Sequence, residues 1–176
     1  MIDAGIGSRY AKAIYEIASE TNKIEKLYEE LNVVMEVYEK DSDFKNYIDH
    51  PLIKKSEKKE FILKIFSGKF EEDTMNILGY LIEKNRLSYI RSIIVEFLKI
   101  YYAKNSIVEA EATFAIKPVE AQIAKLTKQL ERRTNKKVKL TTKVDKSILG
   151  GIVVRIEDEI IDASVRRELE AFRNNY

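Results

Sequence analysis

The chain has 176 residues, 45% hydrophobic and 34% charged, with 31 basic against 29 acidic side chains and a formal net charge of +2. That is the composition of a folded protein rather than a disordered one, and the charge is too small to demand a polyanionic partner by itself. No Cys or Trp occurs and His occurs once, which excludes disulfides, thiolate catalysis and zinc–thiolate sites.

Six Gly and two Pro leave few breaks, which favours long helices. The first is predicted over 3–19. Tyr10, Ala13, Ile14 and Ile17 recur at i, i+3, i+4 and i+7 and so share one face. Ala4, Ala11, Tyr15 and Ala18 make a second stripe, so this helix is either central in a bundle or half-covered and open to a partner. A second helix spans about 23–39, with Ile24, Leu27, Leu31, Val34 and Tyr38 on its apolar side. Asp41 or Ser42 then suits the N-cap of a short helix carrying Phe44, Tyr47 and Ile48. Pro51 ends it near His50, because the residue before proline avoids helical geometry. Helices are expected over about 54–66, closed by Ser67-Gly68, over 71–84, and over 87–104 after the polar break Lys84-Asn85-Arg86.

Near Asn105 the period changes from 3.6 to 2. Val108, Ala110, Ala112, Phe114 and Ile116 alternate with Glu109, Glu111 and Thr113, as in a half-buried strand. Pro118 fits the first turn of a helix striped by Val119, Ile123, Leu126 and Leu130. Val138, Leu140, Thr142 and Val144 alternate again, followed by strands at 152–156 and 160–161 and a last helix from Ser164 with Val165, Leu169 and Phe172. The predicted fold class is therefore α+β: an N-terminal six-helix bundle over 1–104, then a smaller α/β domain over 105–176 in the order strand–helix–strand–strand–strand–helix.

Candidate chemistry is sparse. His50 lacks a Cys or a serine in a nucleophile-elbow context, so it reads as a capping or surface residue. Gly150-Gly151 is followed by Ile152-Val153-Val154, not by the Lys-Ser/Thr of a phosphate loop or the third glycine of a dinucleotide loop; it reads as a bulge or tight turn. Glu157, Asp158, Glu159 and Asp162 fit neither a calcium loop nor a paired-carboxylate cleft, and read as a hairpin turn followed by a helix cap at Asp162 or Ser164. Residues 117–139 hold eight basic and two acidic side chains, which keeps a nucleic-acid-binding module as the alternative reading. No aromatic lies between Phe114 and Phe172, so that stretch has no base-stacking platform, and a solvated face or a surface for an acidic helix is the plainer account. No catalytic, metal or cofactor site is expected.

One stretch is denser in specific choices than the rest. Val144-Asp145, Leu149-Gly150-Gly151, Val154-Arg155-Ile156, Ile160-Ile161-Asp162, Ser164-Val165-Arg166 and Leu169 together resemble the C-terminal signature of the delta subunits of bacterial F-type ATP synthases, the counterparts of the mitochondrial oligomycin-sensitivity-conferring protein. Further blocks follow in order: Arg9-Tyr10-Ala11-Lys12-Ala13, then His50-Pro51-Leu52-Ile53 with Lys58, then Glu83 through Arg86 with Ile90, Ile93 and Phe97. The resemblance covers essentially the whole chain.

The resemblance implies a non-catalytic stator subunit without cofactors, one copy per complex. It implies that the N-terminal bundle holds the N-terminal helix of an ATP synthase alpha subunit in a groove between the first and fifth helices, formed by Tyr10, Ala13, Ile14 and Ile17 with Ile77, Tyr80 and Leu81. It implies that the C-terminal domain holds the b subunits of the peripheral stalk, with Gly150, Gly151, Arg155, Asp162, Ser164 and Arg166 as structural signature residues. No basic region followed by an apolar core opens the chain, and no run of about 18 apolar residues occurs. Together with the resemblance, this implies a peripheral place on the cytoplasmic face of the membrane, without nucleic acid and without direct membrane insertion.

Overall fold

The computed structural model describes residues 4–174. They comprise eight α-helices and a four-stranded mixed sheet, an α+β architecture. The chain clusters into two compact units, Met1–Tyr101 and Tyr102–Tyr176.

Six α-helices precede the first strand: α1 (Ala4–Glu20), α2 (Ile24–Lys40), α3 (Ser42–Asp49), α4 (Lys55–Phe66), α5 (Glu72–Glu83) and α6 (Ile90–Lys104). Their buried residues keep the helical period that the sequence shows. Leu27, Leu31, Val34 and Tyr38 line one side of α2, and Ile90, Ile93, Ile94, Phe97 and Tyr101 line α6. Of the two stripes on α1, Ala11 and Ala18 are fully buried. On that packed side a Cβ at Gly7 would fall 2.3 Å from Ser92 Oγ, so only glycine lets α1 approach α6 this closely.

Capping explains several helix ends. The Asp41 carboxylate accepts from the backbone N–H groups of Asp43 and Phe44, at 2.9 and 3.0 Å, and starts α3. His50, before Pro51, is extended and stops it. The Lys58 ammonium donates to the Ile48 carbonyl at 2.5 Å, placing a cation at that helix C-terminus. Helices α1 and α5 end alike, with Asn22 and Asn85 at positive φ. Lys23 N–H donates to Ala18 O and Asn22 N–H to Ser19 O; Arg86 N–H donates to Leu81 O and Asn85 N–H to Ile82 O. Each is a Schellman motif with asparagine in the left-handed position. The helix expected over 87–104 starts differently: residues Leu87–Tyr89 form a 3-10 turn and α6 begins at Ile90, because the chain leaves the Asn85 turn with Arg86 outside helical geometry.

The second unit runs β1 (Ile107–Phe114), α7 (Glu120–Thr134), β2 (Lys137–Val144), β3 (Gly151–Ile156), β4 (Glu159–Ser164) and α8 (Val165–Asn174). Strand order is β2-β1-β3-β4; β1 and β2 are parallel, and the other pairs antiparallel. The parallel pair requires a crossover, and α7 supplies it. One core gathers Val108, Ala110, Ala112, Val138, Val154, Ile156 and Leu130, with Leu126, Leu140, Ile152 and Ile161 packed against it. On the opposite sheet face Glu111 sits in register with Arg155 and pairs with Lys143 at 2.6 Å.

The structure corrects several expectations here. Ile116 lies beyond the end of β1, Val119 is the residue before α7, Val144 ends β2, and all three are exposed rather than core. Pro118 precedes the helix instead of standing in its first turn. Strand β4 spans six residues, not two. The stripe Val165, Leu169 and Phe172 on α8 is exposed.

Tyr38 offers a check on the first unit. Burial and a hydrogen bond donated to the Asp49 carboxylate at 2.8 Å push its phenol up to about 12. An unfolded tyrosine ionises near ~10. The stability tied to the protonated phenol is therefore fully present below about pH 10 and is lost as pH rises toward about 12. Denaturant titrations across that window should show a smaller loss of stability for Tyr38→Phe than for the wild type; parallel losses would contradict this account.

Candidate functional site

Among the described residues, no group of three or more His, Asp or Glu side chains is placed to hold a metal. His50 is exposed, and its Nδ1 accepts from the Leu52 N–H at 3.3 Å. The acidic cluster is a hairpin turn and a helix start. Glu157, at positive φ, turns β3 into β4 and pairs with Lys136 at 3.3 Å; Glu159 pairs with Arg133. Asp162 accepts from the Ser164 N–H at 2.9 Å, and hydrogen bonding from Ser164 holds its carboxyl below the usual carboxylate range. Buried Ser164 caps α8, its Oγ accepting from the Arg167 N–H at 3.2 Å. Arg166 pairs along that helix with Glu170 at 3.0 Å.

The glycine pair does two different jobs. Gly151 has φ +75°, and a Cβ there would stand 2.1 Å from the Ala163 carbonyl oxygen, so β3 can start beside β4 only with glycine. Gly150 has ordinary φ, but its Cβ would come within 3.0 Å of Val165 Cγ2.

An apolar concavity of the first unit lies between α1 and α5. It has a volume of about 470 Å3, and its walls include Tyr10, Ala13, Ile14, Ile17, Ile77, Tyr80 and Leu81. Every groove residue named from the sequence is thus brought to one place. Ile14 and Leu81 form its buried floor, while Ile17 and Tyr80 remain 55% and 51% exposed. The Tyr10 and Tyr80 rings face each other across one end, 6.4 Å apart and tilted by 50°. The Lys84 ammonium sits 5.4 Å from the Tyr80 ring centre.

Three polar residues complete the other end: Thr21, Asp73 and Asn76. Sequence reading left them out because they break the apolar pattern, although Thr21 is one turn beyond Ile17 and Asp73 one turn before Ile77. Asp73 also pairs with Lys23 at 2.7 Å, tying the first turn of α5 to the loop after α1.

A second residue missed from the sequence is Glu30. It is buried on α2, and its Oε1 accepts from the Glu71 backbone N–H at 2.9 Å, where α5 begins. Glu71 itself makes no side-chain cap. A carboxylate 41 positions away thus caps the helix that forms one groove wall. Its Oε2 has no partner among the described residues. Glu30→Ala should lower stability by about 1–2 kcal/mol, as loss of an N-cap does, and Glu30→Gln, which keeps an acceptor oxygen, should lose less. Urea unfolding of both variants checks this; an alanine variant as stable as the wild type would contradict it.

An α+β chain with an open apolar groove has the features of a binding subunit. Comparison with known proteins says which kind. Residues 6–175 match the family described as ATP synthase delta (OSCP) subunit. The chain is 59% identical over 170 residues to the sodium-ion-specific ATP synthase subunit delta of Ilyobacter tartaricus, covering 97% of each. It is 43% identical over 175 residues to ATP synthase subunit delta of Fusobacterium nucleatum, covering 99% of this chain and 100% of the other. In fold it is similar to a chain of the Toxoplasma gondii mitochondrial ATP synthase hexamer, with a TM-score of 0.73, 22% identity and 96% of each chain covered. The chain belongs to the ATP synthase delta (OSCP) subunit family, whose members are non-catalytic structural subunits of the F-type ATP synthase. That membership leaves the nucleic-acid reading of residues 117–139 without support, and two of the basic residues there, Arg133 and Lys136, are engaged with Glu159 and Glu157.

Proposed function

We propose that the chain is the stator joint of its ATP synthase, present once per complex, peripheral on the cytoplasmic face of the membrane. Its six N-terminal helices act as a bundle that holds the N-terminal helix of one alpha subunit, and its C-terminal unit holds the b subunits of the peripheral stalk. No helix among the described residues is long and apolar enough to cross a membrane, so the joint works through other subunits.

The observation that carries the reading is the groove between α1 and α5. An amphipathic helix buries its apolar stripe in such a groove, and its anchors recur at i, i+3, i+4 and i+7. Ile17 and Tyr80 offer exposed apolar contact, and Ala13 on the α1 wall is small enough to let a partner backbone come close. Rotation of the central shaft loads this contact continuously. What resists the load is a slow dissociation rate, which comes from buried anchors rather than from surface charge.

Ala13→Glu would place a carboxylate against the docked helix with no partner, an arrangement that costs about 1–3 kcal/mol or more. Calorimetric titration with a peptide of the alpha N-terminus should show at least a tenfold loss of affinity, since ~1.4 kcal/mol is tenfold. The variant should unfold like the wild type, because Ala13 is exposed. Unchanged affinity would refute the groove assignment.

A further inference from the structure

The α1–α5 groove adjoins a small void. It lies where the end of α1, the start of α2 and the start of α5 meet, and at about 20 Å3 it has room for about one water. Its lining shares Ile17, Thr21, Asp73 and Ile77 with the groove and adds Leu27 of α2 and Thr74 of α5. A helix turn that borders a void lacks packing partners on that side, so close packing alone does not fix where it stands.

Polar contacts take over that task, and both come from α2. Lys23, the residue before α2, pairs with Asp73 at 2.7 Å, but the two side chains are 47% and 45% exposed, so water and salt screen the pair. Glu30 stands about two turns further along α2 and is only 3% exposed. Its Oε1 accepts from the Glu71 N–H at 2.9 Å, at the start of a helix with no side-chain cap of its own. Glu30 is therefore the buried contact that fixes where α5 begins.

That contact leaves Glu30 Oε2 buried and without a partner among the described residues. A buried carboxylate oxygen without a partner is unfavourable, and a leucine of similar length would avoid the penalty. Glu30 does not line the groove either. What it supplies is the placement of α5, whose Asp73, Ile77, Tyr80 and Leu81 make one groove wall.

We propose that Glu30 is a positioning residue for docking of the alpha helix: from outside the groove it holds the first turn of α5 off the void and so keeps the groove preformed. The inference rests on the stator reading above and deepens it. Without the Glu30 acceptor, the first turn moves into the void and carries Asp73 and Ile77 with it. A docking helix then has to reorder α5 as it binds, which lowers its affinity.

The test uses the full chain and a peptide of the alpha N-terminus, titrated by calorimetry well below the Tm of every variant. Glu30→Leu and Glu30→Ala, which remove the acceptor, should bind about fivefold more weakly, within the range by which residues outside a site modulate binding. Glu30→Gln, which keeps an acceptor oxygen, should stay within about twofold of the wild type. Hydrogen exchange at the Glu71 amide should quicken in the leucine and alanine variants and not in the glutamine variant. Ile48→Val, a change in the buried part of α3, should lower Tm and leave affinity unchanged. If Glu30→Leu and Glu30→Ala bind as the wild type does, or if Ile48→Val weakens binding as much as they do, Glu30 is an ordinary stabilising residue and the stator reading stands. If the peptide fails to bind the wild type at all, the groove assignment falls, and this proposal with it.

Discussion

Helix α1 has to satisfy two apolar faces at once, and the first unit is arranged around that demand. One face packs inward through Gly7, Ala11 and Ala18, residues small enough for close approach to the neighbouring helices. The other presents Tyr10, Ala13 and Ile17 to a gap that α5 borders but does not fill. Such a gap would ordinarily close, because water-exposed apolar area is unfavourable by about 25 cal/mol per Å2. It stays open because α5 is held from both ends. Glu30 and the Lys23–Asp73 pair fix its first turn, and the Asn85 Schellman motif fixes its last. A preformed groove of this kind spares a docking helix much of the ordering cost of binding.

The second unit solves a different problem with fewer residues. Its sheet is covered on one face by α7, and its specificity is concentrated in backbone geometry. Gly151 permits β3 to begin against the Ala163 carbonyl, and the buried Ser164 hydroxyl starts α8. Gly150 and Gly151 serve close backbone approach, and Asp162 and Ser164 spend their side chains on the start of α8. Leu149 is the exception within the same run. It sits in a turn that glycine would make more easily and shows its side chain to solvent. The α1–α5 groove matches the proposed role, in which the chain transmits force between the head and the stalk.

Element order and type were legible because apolar periodicity reports them directly. The walls of the α1–α5 groove were legible because Tyr10, Ala13, Ile14 and Ile17 recur on one face and the family resemblance named the partner helix. What escaped falls into two physical kinds. Interactions between distant positions leave no local pattern, so Glu30 capping α5 across 41 positions and Gly7 meeting Ser92 could not be read from neighbouring residues. Periodicity also says that a face is apolar, not that it is covered. Ile116, Val119, Val144 and the α8 stripe belong to apolar patterns and stand exposed. The same ambiguity on α1 resolved both ways: Ala11 and Ala18 are buried, while Ala13 and Ile17 are open.

The central claim is that one chain grips two different helices at two independent seats. The most direct measurement is a calorimetric titration of the full chain with the alpha N-terminal peptide, repeated after saturation with the b C-terminal peptide. The account predicts one of each bound per chain, with each affinity changed by less than about twofold by the other, a coupling near zero. Displacement of one peptide by the other would contradict it, because it would place both on a single surface.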